Sequence, residues 1–200
     1  MATATRAGEG MPVFVSGQKS SMWWGIFLLM LIESAVFVGL ISSYFYLFAN
    51  ASVWPPDETS TPSLGIPIIY TVALAASGVF ALIGNRAITN GDVATMRWWR
   101  LAGIASLVVF LLLKAYEYAT LDYLWDESAY TSILWVIAGF HSAHVLTVML
   151  KEIPIQILAW KGFFTQERRS AIEGATMYWI FVVSWWFPLF ATVYFFPNYV

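Results

Sequence analysis

Cysteine is absent from all 200 residues. That excludes disulfides, zinc–thiolate sites, iron–sulfur clusters and thiol-ligated copper. Charge is nearly as scarce: Asp, Glu, Lys and Arg make up 11% of the chain, against about 25% in soluble domains. The net charge of −2 gives no electrostatic footprint for nucleic acid. Histidine occurs only twice, at His141 and His144. Three residues apart on one helix, the two lie on the same side, so they cannot grip a haem iron from opposite faces. Seven methionines remain as soft ligands, but none forms a motif with the histidines. The chain is therefore expected to carry no catalytic residue, no metal site and no cofactor of its own.

What is present is apolar surface: 60% of residues are hydrophobic and 18% aromatic. They come in long blocks, several about 20 residues or more, the length that crosses a bilayer core of roughly 30 Å. The reading is an all-α integral membrane bundle of five transmembrane helices. A polar tail, 1–21, precedes a membrane domain, 22–200, with spans at about 22–48, 66–85, 98–121, 131–152 and 176–196. The first apolar run is too long for the h-region of a cleaved signal peptide. Pro55, Pro56 and Pro62 with Asp57 and Glu58 break the chain after it, and Asn90-Gly91-Asp92 turns it after the second span. Pro188 is expected to kink the last span. Ile155–Trp160 stays apolar beyond Pro154 and can prolong span four into the interface, near Arg168 and Arg169.

Basic residues orient the bundle. With the N-terminus in the cytoplasm, the inner side receives Arg6, Lys19, Arg86, Arg97, Arg100, Lys151, Lys161, Arg168 and Arg169, and the outer side only Lys114. Trp23, Trp24, Trp98, Trp99 and Trp160 then fall at inner boundaries and Trp54 and Trp125 at outer ones, as an aromatic belt requires. The C-terminus falls outside. Five spans with no internal repeat argue against a transporter built from two halves.

Ionisable groups within a span are costly, so each is a functional candidate. Glu33 lies roughly 16 Å from the inner end of the first helix, and His141 and His144 lie roughly 16 and 12 Å deep in the fourth. Shared depth predicts a membrane-embedded polar cluster of Glu33, His141 and His144. It serves either as interhelical glue or in proton or lipid handling. Lys114, Glu117 and Tyr118 form a second group near the outer end of helix three, read as an ion pair at i,i+3 spacing or a contact with a partner. Ala35, Gly39 and Ser43 on helix one, and Ala73, Ser77 and Ala81 on helix two, repeat every four residues and are expected to let helices pack closely, within the bundle or, for one such face, against another subunit.

Several segments match one family in order. They are Ile32-Glu33-Ser34-Ala35-Val36-Phe37-Val38-Gly39 with Tyr44-Phe45-Tyr46, Ala75-Ala76-Ser77-Gly78-Val79, Lys114-Ala115-Tyr116-Glu117-Tyr118, Gly139-Phe140-His141-Ser142-Ala143-His144-Val145, and Glu173-Gly174-Ala175-Thr176-Met177-Tyr178-Trp179 leading to Val193-Tyr194. From about Trp23 to Tyr194 the chain resembles subunit III of the heme-copper oxidases, the cytochrome c and quinol oxidases, in a short five-helix prokaryotic form. The GFHxxHV stretch is the most specific piece. One departure is clear: the family's last helix commonly has His and Asp where this chain has Ile180 and Val183. The resemblance implies an accessory, non-redox subunit in a bacterial inner membrane. It would pack beside the catalytic subunit I, which holds haem and copper, and beside other oxidase subunits, stabilise that subunit, bind phospholipid and support proton uptake while the assembly reduces oxygen to water. A related accessory subunit of nitric oxide reductase is the nearest alternative. A stand-alone proton or small-molecule transporter explains Glu33 but not the ordered motifs.

Overall fold

The computed structural model describes residues 20–56 and 62–199. The tail residues Arg6, Glu9 and Lys19, and Asp57 and Glu58 of the first loop, lie outside them. Five helices follow one another: α1 (Ser21–Asn50), α2 (Gly65–Thr89), α3 (Val93–Thr120), α4 (Ala129–Trp160) and α5 (Ser170–Phe190). A π-helical turn, Ala191–Phe195, and a short 3₁₀ turn, Phe196–Asn198, continue α5. All five are long and apolar enough to cross a membrane.

Local chemistry sets the ends. Ser20 Oγ accepts from the Met22 amide at the start of α1, and Asp92 accepts from Thr95 N at 2.9 Å at the start of α3. Ser128 and Thr131 form a reciprocal capping box at the start of α4. Gly91 takes φ +84° in the turn between α2 and α3, a conformation that favours glycine.

The helices outrun the spans read from hydropathy. α3 begins at Val93 rather than 98, α4 runs on to Trp160 rather than ending at 152, and α5 begins at Ser170 rather than 176. The reason is a small second core. Ile88, Met96, Ala159, Phe164 and Ile172 pack together where these extensions meet, and Gln156 Nε2 donates to Arg97 O across 2.7 Å. Pro154 sits inside α4 without ending it. A proline removes one helical hydrogen bond, and burial of Ala159 beyond it keeps the last turn in place.

α5 is the hub: it touches α1, α2 and α4, while α2 lies along α3 and α3 along α4. Its buried side chains include Trp179, Val182, Trp186 and Leu189. Trp179 reaches into the α2–α3 seam because Gly103 leaves room; a Cβ there would sit 2.9 Å from the indole. The indole Nε1 donates to Ser77 Oγ at 3.1 Å. Thus Ser77 and Ala81 of the α2 stripe are buried packing residues, with Ala73 half-buried beside them.

The α1 stripe behaves differently. Ala35, Gly39 and Ser43 are all exposed, and nothing lies within 4 Å of a Cβ built on Gly39. The expectation that they pack within the bundle is corrected here. α1 turns its opposite side inward, and only Phe37 and Tyr44 are fully enclosed. Aromatic bulk, not small residues, fastens it: Phe37 stacks on Trp185 with centroids 5.2 Å apart, and Tyr44 meets Trp54 at 5.3 Å.

Candidate functional site: two buried polar centres

At mid-helix on α1, Glu33 faces α4 and α5. Its Oε1 accepts from Tyr178 Oη at 3.1 Å, and its Oε2 lies 3.7 Å from His144 Nε2. Both side chains are largely shielded, 19% exposed for Glu33 and 12% for His144. Lys151 Nζ stands 4.3 Å from the Tyr178 ring centroid. The other nitrogen of His144, Nδ1, is 2.7 Å from Phe140 O. A carbonyl only accepts, so Nδ1 carries the hydrogen. His144 Nε2 faces Glu33 Oε2 from beyond hydrogen-bond reach, and that carboxylate oxygen is buried with no hydrogen-bond partner among the described residues.

His141 does not join this centre. Its Nε2–H donates to Val182 O at 3.0 Å, and its ring lies 4.7 Å from Trp186 and 6.0 Å from Phe110. Phe37 sits against both imidazoles, at 6.3 Å from His141 and 5.1 Å from His144. Depth placed the three groups in one layer, but His141 turns toward the α3–α5 core and His144 toward α1. The cluster is therefore Glu33, His144 and Tyr178. Tyr178 was missed because tyrosine in a membrane helix is no rarity by itself.

The second centre lies at the opposite end of the bundle from the arginines. Lys114 and Glu117, three apart on α3, form an ion pair of 2.5 Å. Tyr70 of α2 and Tyr194 of the π turn complete it. Lys114 Nζ donates to Tyr194 Oη and, at 3.4 Å, to Tyr70 Oη. Tyr70 Oη is 2.8 Å from Tyr194 Oη and 3.2 Å from Glu117 Oε2, and Tyr194 donates to the same Oε2 at 3.1 Å. The ammonium also stands 4.9–5.7 Å from the ring centroids of Tyr118, Tyr194, Tyr70 and Trp186. Lys114 does not reach out to water: it is 2% exposed. Tyr118 contributes its ring and stacks on Trp135 at 4.6 Å. The turn that delivers Tyr194 follows Pro188, whose missing N–H loosens the α5 ladder.

A third ion pair had no place in the sequence reading. Arg100 and Glu152, taken as inner boundary residues, are fully buried and paired at 2.6 Å between α3 and α4, with Arg100 Nη1 donating to Thr176 Oγ1 of α5 at 2.8 Å. Because the helices continue past the expected ends, residues placed at the boundary fall inside the bundle.

An apolar cleft of about 610 Å³ opens between α1, α2 and α5, walled by Trp23, Met30, Leu82, Met177, Ile180 and Phe181. Ile180 and Val183 pack on Gly78, each 3.4 Å from its Cβ position. This is apolar contact where the resemblance led one to look for His and Asp.

Long apolar helices closed around paired, sequestered charges define a polytopic membrane protein. Residues 5–198 match the family model described as cytochrome c oxidase subunit III. Relatives named cytochrome c oxidase subunit 3 include those of Synechocystis sp., 29% identical over 89% of this chain and 77% of that protein, and Thermostichus vulcanus, 31% identical over 85% of each. The Corynebacterium diphtheriae protein is 33% identical over 82% of each. The chain belongs to the cytochrome c oxidase subunit III family.

Proposed function

We propose that this chain is the accessory subunit III of a bacterial respiratory heme-copper oxidase, seated in the inner membrane with its N-terminus in the cytoplasm. It packs beside subunit I and the other oxidase subunits, stabilises the catalytic subunit and performs no electron transfer itself. The observation that carries this reading is the family match along 5–198. Two features support the non-redox role. The chain has no cysteine, and its two histidines sit on one helix and turn to different neighbours, His141 to Val182 and His144 to Glu33. Haem and copper belong, on this reading, to the partner subunit. The basic ends of α2, α3, α4 and α5 share one end of the bundle, which supports a cytoplasmic assignment for that end.

Within that role, Glu33 supports proton uptake, with Tyr178 fixing its carboxylate and His144 beside it. Lipid chains fill the apolar cleft between α1, α2 and α5. A tagged chain purified from its own membrane is expected to bring haem and copper with it. A preparation without haem absorbance overturns the reading. Glu33→Gln is expected to slow proton uptake by the intact oxidase while the complex still assembles; unchanged uptake removes Glu33 from that role. Ile180 and Val183, where the family commonly has His and Asp, leave one alternative open, the accessory subunit of a nitric oxide reductase. The copurifying catalytic subunit, assayed with oxygen and with nitric oxide, separates the two.

A further inference from the structure

The Lys114–Glu117 centre is not sealed. Every hydrogen bond to the Glu117 carboxylate falls on Oε2, from Lys114, Tyr70 and Tyr194. Oε1 takes none among the described residues, although a carboxylate oxygen has room for two. The side chain keeps 11% of its surface exposed, and it lines two spaces at once. Outside it is a hollow of about 240 Å³ whose wall is half polar, formed by Ser63, Ile66, Thr120, Asp122 and Tyr123. Inside it is a cavity of about 20 Å³ bounded by Lys114, Tyr118, Trp135 and Tyr194. Pro62, Leu121 and Tyr123 border both spaces.

The inner cavity is wide enough for one water, which needs about 10–15 Å³ by the same measure, and such a water needs polar partners. Two wall residues bring polar atoms to it: Trp135 Nε1, buried with no hydrogen-bond partner among the described residues, and Tyr118 Oη, which has the Ser142 hydroxyl as a neighbour. The outer hollow is large enough for several waters and is bordered by exposed Asp122.

We infer that Glu117 is a water-linked proton-exchange site at the Lys114 end of the bundle, with Oε1 in contact with water of the outer hollow and Oε2 anchored on the Lys114–Tyr70–Tyr194 network. A hydronium ion in the hollow gives its proton to Oε1, its O–H bond breaking as the carboxyl O–H bond forms and a neutral water remaining; release runs in reverse. Proton transfer needs a heavy-atom contact of about 2.6–3.2 Å or one bridging water, and the hollow supplies the water. The charged and titratable groups facing Glu117 are Lys114 and Tyr118 of α3, Tyr70 of α2, Tyr194 after α5, and Asp122 and Tyr123 of the following loop. This centre lies at the other end of the bundle from Arg100 and Glu152, on a different helix from Glu33, and the inference does not rest on the proposed oxidase role.

A water-soluble carbodiimide with a glycine ester, applied to the detergent-solubilised complex and read by peptide mass spectrometry, tests it. Glu117 is expected to be labelled, with Asp122 as the exposed reference. Ser63→Trp and Thr120→Trp fill the hollow from its rim without touching the ion pair, and are expected to remove most of the label from Glu117 but not from Asp122. Labelled Asp122 with unlabelled Glu117 overturns the inference. So does Glu117 labelling that both tryptophans leave unchanged, since water would then arrive by another path.

Discussion

Arg100 grips Glu152 in a fork. Its Nη2 lies 2.6 Å from both carboxylate oxygens and its Nε donates to Oε2 at 3.0 Å, with neither side chain exposed. Thr176 takes a further N–H, so one guanidinium ties α3, α4 and α5 together.

Removing one member leaves an enclosed charge with no counterpart, at a cost of about 3–5 kcal/mol. Arg100→Met and Glu152→Leu singly are expected to lower the thermal midpoint of the purified chain sharply. The double substitution is expected to recover much of the loss, because an apolar pair of similar volume has no charge to strand. A double variant no more stable than the singles would show that the fork holds the helices in a way packing cannot replace.

Gly103 and Gly39 have opposite surroundings. Gly103→Ala drives a methyl into Trp179 and is expected to cost about 1–3 kcal/mol through overpacking. Gly39→Ala, with open space around it, is expected to leave the chain's own stability unchanged or slightly higher, since alanine is the better helix former. Thermal unfolding of both in one detergent makes the comparison.

Lys114 tests the cage of rings around it. Lys114→Met leaves Glu117 Oε2 among tyrosines without its cation, and because Oε1 still meets water the loss is expected at about 1–3 kcal/mol rather than that of a sealed pair. Tyr194→Phe keeps the ring but removes the hydroxyl that Lys114, Tyr70 and Glu117 share, so a loss of about 1–3 kcal/mol is expected. Denaturant unfolding followed by tryptophan emission reads both, since Trp186 faces the ammonium.

Asp92 gives a pH signature outside the membrane spans. Hydrogen bonds from the Thr95 side chain and backbone hold its carboxyl below the ordinary value of 3.8. A lowered folded-state value means that the cap's contribution is whole above the ordinary value and fades as pH falls through the lowered one. Asp92→Asn keeps a capping oxygen but cannot titrate. It is expected to flatten this acid-side loss in a pH series of unfolding curves, whereas Asp92→Ala lowers stability at neutral pH as well.

Five helices were legible because hydrophobic length is a one-dimensional signal. The Lys114–Glu117 pair was legible because i,i+3 spacing is local. Tyr70 and Tyr194 were not: they stand 44 and 80 residues from Lys114 and reach it only through helix packing and a π turn. Depth brought Glu33 level with both histidines but carried no rotation about the helix axis, so His141 was grouped with a neighbour from which it faces away. Arg100 and Glu152 were misplaced by the same rule that orients the bundle, which counts a basic residue near a span end as a surface charge. That rule has no view of α4 continuing past Pro154 or of Thr176 waiting on α5.

The bond between Glu33 and Tyr178 joins residues 145 positions apart. At about 5–20 residues per second of synthesis, α1 enters the bilayer roughly 7–30 seconds before α5 is made. Through that interval its carboxylate lacks the Tyr178 hydroxyl, and until α4 is made it lacks the His144 imidazole as well, while an unpartnered acidic side chain within a span costs a few kcal/mol. The earliest helix of the nascent chain thus crosses the insertion machinery carrying a debt that only the latest one discharges.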